Sequence, residues 1–156
     1  MTPADSPAFE PADAGYERRT RESFAKQGAM AHLGAVLERV QPGRVEISLP
    51  YRDELSQQHG FFHAGIVATV ADSAGGYAAY TLFPADAGVL TVEFKVNLMA
   101  PADGERVVAT GRVIRSGRSI TVASFDVHVE KAGRRTHCAT GLQTIMRIVG
   151  RTGVQG

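Results

Sequence analysis

One carboxylate stands out because of what surrounds it. Between His63 and Phe83 the apolar residues Ile66, Val67, Val70, Tyr77, Tyr80 and Leu82 are joined almost wholly by Ala and Gly, and Asp72 lies in their midst. An ionised carboxylate in such company must be hydrogen-bonded or paired, or its pKa rises. A perturbed carboxylate suits general-base or nucleophilic work, and one satisfied by Ser73, a backbone amide or a partner subunit suits structure equally. The run Gln57-Gln58-His59-Gly60-Phe61-Phe62-His63-Ala64-Gly65 brings amides, imidazoles and small residues just ahead of the apolar stretch. A helix beginning near His63 presents the N–H groups of Ala64, Gly65 and Ile66 at the positive end of its dipole. Such groups favour an oxyanion developing on a carbonyl. The small side chains of Ala64 and Gly65 let a substrate reach that backbone, and Phe61, Phe62 and Tyr77 suggest an apolar pocket.

Three other chemistries fit less well. Ala71-Asp72-Ser73-Ala74-Gly75 is a degenerate nucleophile elbow around Ser73, but an elbow needs a preceding strand and a parallel sheet of βα units. His59 and His63 have the spacing of two zinc ligands on a helix, yet His59-Gly60 reads as loop and neither a Glu after His59 nor a third ligand is evident. Gly75-Gly76 is followed by no Lys-Ser/Thr, so it is no phosphate loop. The pattern asks for no metal or redox cofactor.

The elements that must position these residues follow from periodicity. Thr20 to Gly34 reads as a short helix with Phe24, Met30 and Leu33 as its apolar residues. Residues 35–41 and Arg44 to Leu49 read as a hairpin across Gln41-Pro42-Gly43-Arg44, the second strand ending at Pro50. His63 to Phe83, apolar all round, is expected as a central helix buried on every side. Asp72 argues against its crossing a membrane, where a central Asp costs about 2.5–3.5 kcal/mol. After Gly88 four strands follow: Leu90 to Leu98, Arg106 to Arg115, Thr121 to Glu130, and Arg134 to about Ile148. Alternation in the first puts Leu90, Val92, Phe94, Val96 and Leu98 on the packed face, with Thr91, Glu93 and Lys95 on the polar one. Hairpin, long helix and four short-turn strands give an α+β fold, a curved antiparallel sheet wrapped around one helix. Residues 1–15, with Pro3, Pro7 and Pro11, read as a disordered or loosely docked arm. Residues 16–148 form a single domain, and 149–156 a frayed tail.

Composition bounds the partners. With 156 residues, 44% hydrophobic and 21% charged, the chain is a globular protein of one domain. Its formal net charge of +1 leaves no excess positive potential for nucleic acid or anionic lipid. The single Cys138 forms no internal disulfide, and the first twenty residues lack an apolar signal run, so a cytoplasmic location is expected.

The stretch Gln57-x-His59-Gly60-x-x-His63-Ala64-Gly65, with Asp72 nine residues after His63, resembles the hotdog-fold acyl-CoA thioesterases of the phenylacetyl-CoA (PaaI-type) group. Their usual pattern is Asn-x-x-Gly-x-x-His-Gly-Gly with an Asp nine residues after the His. The likeness runs from about residue 20 to 148 and includes a Gly-Arg in a late turn, here Gly117-Arg118. The resemblance implies hydrolysis of an acyl-CoA, with Asp72 as general base on water or as nucleophile. The Ala64 N–H would polarise the thioester oxygen, Gln57 would hold the carbonyl or the water, and Thr91 would position the water. It implies a homodimer or homotetramer whose site joins the 57–65 loop of one subunit to Asp72 and Thr91 of another. His63 fits a helix-capping role better than acid–base work, His59 faces either the loop backbone or the substrate, and Gly65 admits substrate to the backbone. Arg115 and Arg118 are candidates for the CoA phosphates. Ala64 replaces the first Gly of the pattern, which its backbone permits only at negative φ. Gln57 is one methylene longer than Asn. The rival expectation is a non-catalytic acyl-CoA-binding or regulatory hotdog protein.

Overall fold

The computed structural model describes residues 9–154. Its centre is α3 (Ala64–Tyr80), preceded by α1 (Tyr16–Ala25), α2 (Gly28–Leu33), β1 (Val36–Gln41), β2 (Arg44–Pro50) and a 3-10 turn at Asp53–Leu55. Four long strands follow: β3 (Ala87–Leu98), β4 (Arg106–Ser116), β5 (Ile120–Lys131) and β6 (Arg134–Val149). All six join one antiparallel sheet in the order β1-β2-β4-β5-β6-β3, and α3 packs across its inner face against β2 to β6. This is the hotdog arrangement, with the sheet left open at its β1 and β3 edges.

The helix can lie this close because both surfaces are stripped of side chains where they meet. Val70, Ala71, Ala74, Ala78 and Ala79 are buried on α3. Opposite them on β4, a Cβ at Gly111 would come within 2.2 Å of the Ala74 carbonyl oxygen. Backbone faces backbone there, and neither can rotate away. Gly111→Ala should therefore cost about 2 kcal/mol or more through overpacking, and lower the melting temperature by about 5 °C or more. A thermal melt within about 1 °C of wild type would show that α3 does not rest on β4 as described.

Several expectations need correction. The single helix expected over 20–34 is two helices, because Gln27 adopts an extended conformation between them (φ −75°, ψ 102°). The central helix stops at Tyr80, ahead of Pro84, and it is not buried on every side. Ala64 and Gly65 in its first turn are exposed, while Val70 to Phe83 is buried apart from the half-buried Asp72. Residues 1–8 of the expected arm lie outside the described residues. In the remainder, Phe9 packs against the core and Asp13 pairs with Arg19 at 3.1 Å. Arg19 in turn donates to the Phe83 carbonyl at 2.7 Å, tying α1 to the C-terminal end of α3 where a cation is favoured. At the other end of the chain, Val149 is the last residue of β6, and Val154 sits over Gly88.

The largest correction concerns β3. The pairing of β3 with β6 slips by one residue between Thr91 and Glu93. Thr91 stands opposite the buried Ile145, whereas Phe94 stands opposite the buried Gln143. A one-residue bulge switches every side chain beyond it to the other face. Phe94, Val96 and Leu98 thus share the helix side with Thr91, and Leu90 pairs with Met146 on the outer side. The simple alternation assigned Thr91 to the wrong face.

Candidate active site

Asp72 is built into a three-residue knot. The Thr91 hydroxyl donates to Asp72 Oδ1 at 2.7 Å. The buried Gln143 on β6 donates from Nε2 to the same Oδ1 at 2.5 Å, to the Asp72 main-chain oxygen at 3.1 Å and to Thr91 Oγ1 at 2.9 Å. Among the described residues Oδ2 has no hydrogen-bond partner. Asp72 lines a cavity of about 250 Å³ together with Gln27, Ser73, Tyr77 and Leu90. Burial raises the Asp72 pKa above the ordinary carboxylate value, and the Thr91 hydroxyl pulls the other way. The result is a carboxylate at a cavity wall with one oxygen clamped and the other unpaired among the described residues, an arrangement able to take a proton from water or to attack a carbonyl.

The first turn of α3 is the candidate complementary half. His63 is its N-cap in extended conformation, and its Nδ1 accepts from the Gly65 N–H at 2.9 Å. That bond makes Nδ1 an acceptor, so the imidazole serves the helix end. The His63 carbonyl takes the N–H groups of Ile66 and Val67. The Ala64 N–H is left without a partner among the described residues, on an exposed residue at the helix N-terminus. Ala64 is not among the residues with positive φ, so its methyl costs no strain. Beside it runs a cavity of about 460 Å³ whose walls include Gln57, Phe61, Phe62, Val67 and Met99. The Gln57 side-chain oxygen accepts from the His59 N–H within its own tight turn, leaving its amide N–H groups for other partners. His59 is exposed on that turn with its ring beside Gln58, and Phe62 is anchored edge-on against Tyr51 at 5.3 Å.

These halves do not meet within one chain. Ala64 and Asp72 are eight residues apart on one helix, about 12 Å along its axis. A carbonyl that needs a donor and a carboxylate each within hydrogen-bonding reach cannot touch both. The Gly117-Arg118 turn lies on the Asp72 side, since Thr91, Ile145 and Thr121 form one row across the sheet and the turn follows that row. Arg115 and Arg118 are exposed there. The Arg118 carbonyl accepts from Arg147 Nε at 2.6 Å, which fixes the turn's backbone.

Other candidate nucleophiles are poorly placed. Ser73 sits within α3, not on a strand-to-helix turn, and among the described residues its hydroxyl reaches only Gln27, at 3.4 Å. Cys138 is buried, which pushes its thiol pKa up and away from the reactive thiolate. The residue that sequence reasoning missed is Gln143. Its signal was a polar residue at an inward position of β6, in step with Gly141 and Ile145, facing the Gly75-Gly76 stretch of α3.

Comparison with known proteins shows the family and the fold. The family model described as the thioesterase superfamily matches residues 59–136, from the turn ahead of α3 into β6. A protein of Halobacterium salinarum, named as an esterase only provisionally, is 32% identical over 105 residues, 64% of this chain and 69% of its own length. The proofreading thioesterase EntH of Klebsiella pneumoniae is 26% identical over 112 residues, covering 72% of this chain and 82% of that protein. Among solved structures, a thioesterase family protein from Silicibacter pomeroyi superposes with a TM-score of 0.86 at 49% identity, over 87% of this chain and all of that one.

Proposed function

Because the chain belongs to the thioesterase superfamily, we propose that it hydrolyses an acyl-CoA thioester to the free acid and CoA, with Asp72 as the reactive carboxylate. The observation that carries this reading is the Asp72 carboxylate itself, clamped on Oδ1 by two donors and lining a cavity. Acting as base, Oδ2 takes a proton from water while the oxygen of that water bonds to the thioester carbon. The carbonyl oxygen becomes an oxyanion held by the Ala64 N–H and the helix dipole. Collapse breaks the carbon–sulfur bond, and the proton on Asp72 passes to the departing thiolate. Acting as nucleophile, the same oxygen would bond to the acyl carbon and expel the CoA thiolate, leaving an anhydride. Water then opens it to the free acid and the Asp72 carboxylate, and the proton released goes to the thiolate. Both routes require Asp72 ionised, so activity should fall on the acid side of a pKa lying above the usual carboxylate range.

The second half of the reading is an active site shared between two chains. Ala64 lies about 12 Å along α3 from its own Asp72, which supports a donor supplied by a partner subunit, with Gln57 beside it. Strand β3 is suited to receive that partner. It is a sheet edge, and Val92, Phe94 and Leu98 on it are exposed. An unpaired apolar edge pairs readily with another strand. A homodimer built on it, alone or doubled to a tetramer, is the expected assembly. CoA phosphates would lie toward Arg115 and Arg118.

A thiol-release assay across acyl-CoAs of different length and aromaticity tests the chemistry. At least one should be turned over with kcat/KM of about 10⁴ M⁻¹s⁻¹ or above. Binding of acyl-CoA without thiol release over the whole panel would favour the non-catalytic reading.

A further inference from the structure

We propose that Gln143 is a positioning residue for Asp72, and that Gly75 exists to seat it, an inference that rests on Asp72 being the reactive carboxylate. Gln143 is only 1% exposed, yet its amide nitrogen faces three acceptors: Asp72 Oδ1, the Asp72 main-chain oxygen and Thr91 Oγ1. The orientation is fixed by chemistry, because turning the amide over would aim its oxygen at a carboxylate. The cost is visible on the other side, where Gln143 Oε1 is buried without a hydrogen-bond partner among the described residues. A buried amide oxygen left unpaired is unfavourable by itself, so the gain must lie with the nitrogen. Gly75 makes the seat possible. A Cβ at position 75 would lie 2.0 Å from Gln143 Oε1 and 3.1 Å from its Cδ.

The chemical consequence follows. Donors on a carboxylate favour its charged form, opposing the burial that disfavours it. With Thr91 and Gln143 both donating to Oδ1, the charged form is favoured against the burial and the carboxylate is held in one rotamer. Thr91 alone can rotate, whereas Gln143 is walled in by β6 and α3. The amide touches neither water nor thioester in this arrangement. It acts through Asp72.

Gln143→Leu keeps the volume and removes the donor. The titration of Asp72 is read directly as the infrared carboxyl band that disappears in Asp72→Asn. In Gln143→Leu this titration should move up by about one pH unit, and the acid limb of kcat/KM should move with it. kcat at the optimum should fall about ten- to a hundredfold, as when a group that orients a reactive ligand is lost, with KM within about twofold. Gly75→Ala, which pushes the amide aside without changing its chemistry, should reproduce the upward shift. On a Gln143→Ala background, where the seat is empty, Gly75→Ala should add less than about twofold. A purely structural Gln143 would leave the titration in place, and that result overturns the proposal. So does a Gly75→Ala loss that is the same with and without Gln143, which decides the matter even if Gln143→Leu fails to fold. An inactive Asp72→Asn with an unmoved limb in Gln143→Leu removes the positioning role alone. A fully active Asp72→Asn removes the reading of Asp72 as well.

Discussion

Asp72→Asn should lose about a hundredfold or more in turnover while the protein becomes no less stable. The substitution preserves shape, and the Asn side-chain oxygen can still accept from Thr91 and Gln143 as Oδ1 does now. What disappears is the oxygen able to take a proton or attack. The stability half has a definite sign. Burial makes the folded-state pKa of Asp72 higher than its unfolded value. The native chain therefore holds that proton more tightly than the unfolded chain, and stability from this group is fully present below the unfolded pKa. It is lost as pH rises through the folded one. At neutral pH the wild type carries the penalty of a half-buried charge, and Asn removes it. A melt at or above that of the wild type, together with collapsed thiol release, is the signature of a residue retained for reaction at some cost in stability. Near-normal turnover in Asp72→Asn would end the assignment, and a large fall in melting temperature would make Asp72 a structural residue instead.

The parts of this site differ in how far they could be read from the chain. Asp72 was legible because a lone carboxylate among Ala, Gly and Val is costly and so conspicuous. The helix start was legible for a similar reason, since small residues after a His leave N–H groups exposed. His63 takes the capping position expected of it. Thr91 was misplaced by alternation because a bulge is a property of how two strands pair, and β3 read alone contains no sign of where β6 will slip. Gln143 was invisible for a related reason. Its inward position becomes meaningful only once Gly75 is known to lie beneath it. Gln27 breaks the first helical stretch without Pro, where local propensity gives little warning. The overall order of hairpin, helix and four strands survived these errors because it rests on apolar periodicity over long segments, which a one-residue slip does not disturb.

The central claim, that Asp72 of one chain works with the helix end of another, is tested most directly by mixing two damaged chains. Ala64→Pro removes the unpaired N–H at the helix start, and losing an oxyanion donor costs about 10²–10³ in turnover. The substitution is well suited to its position. Proline is favoured at the first residue of a helix, and no existing hydrogen bond is broken. His63 before it is already extended, at φ −63° and ψ 136°, as a residue preceding proline prefers. An Ala64→Pro homodimer should therefore fold and be nearly inactive, as should an Asp72→Asn homodimer. In the mixed dimer one site carries both lesions and the other carries neither. A random mixture should recover about a quarter of wild-type activity if subunits pair at random and sites are independent. Return of activity to that level after subunit exchange is the predicted result. Demonstrated exchange with no activity regained would place donor and carboxylate within one chain and contradict the account.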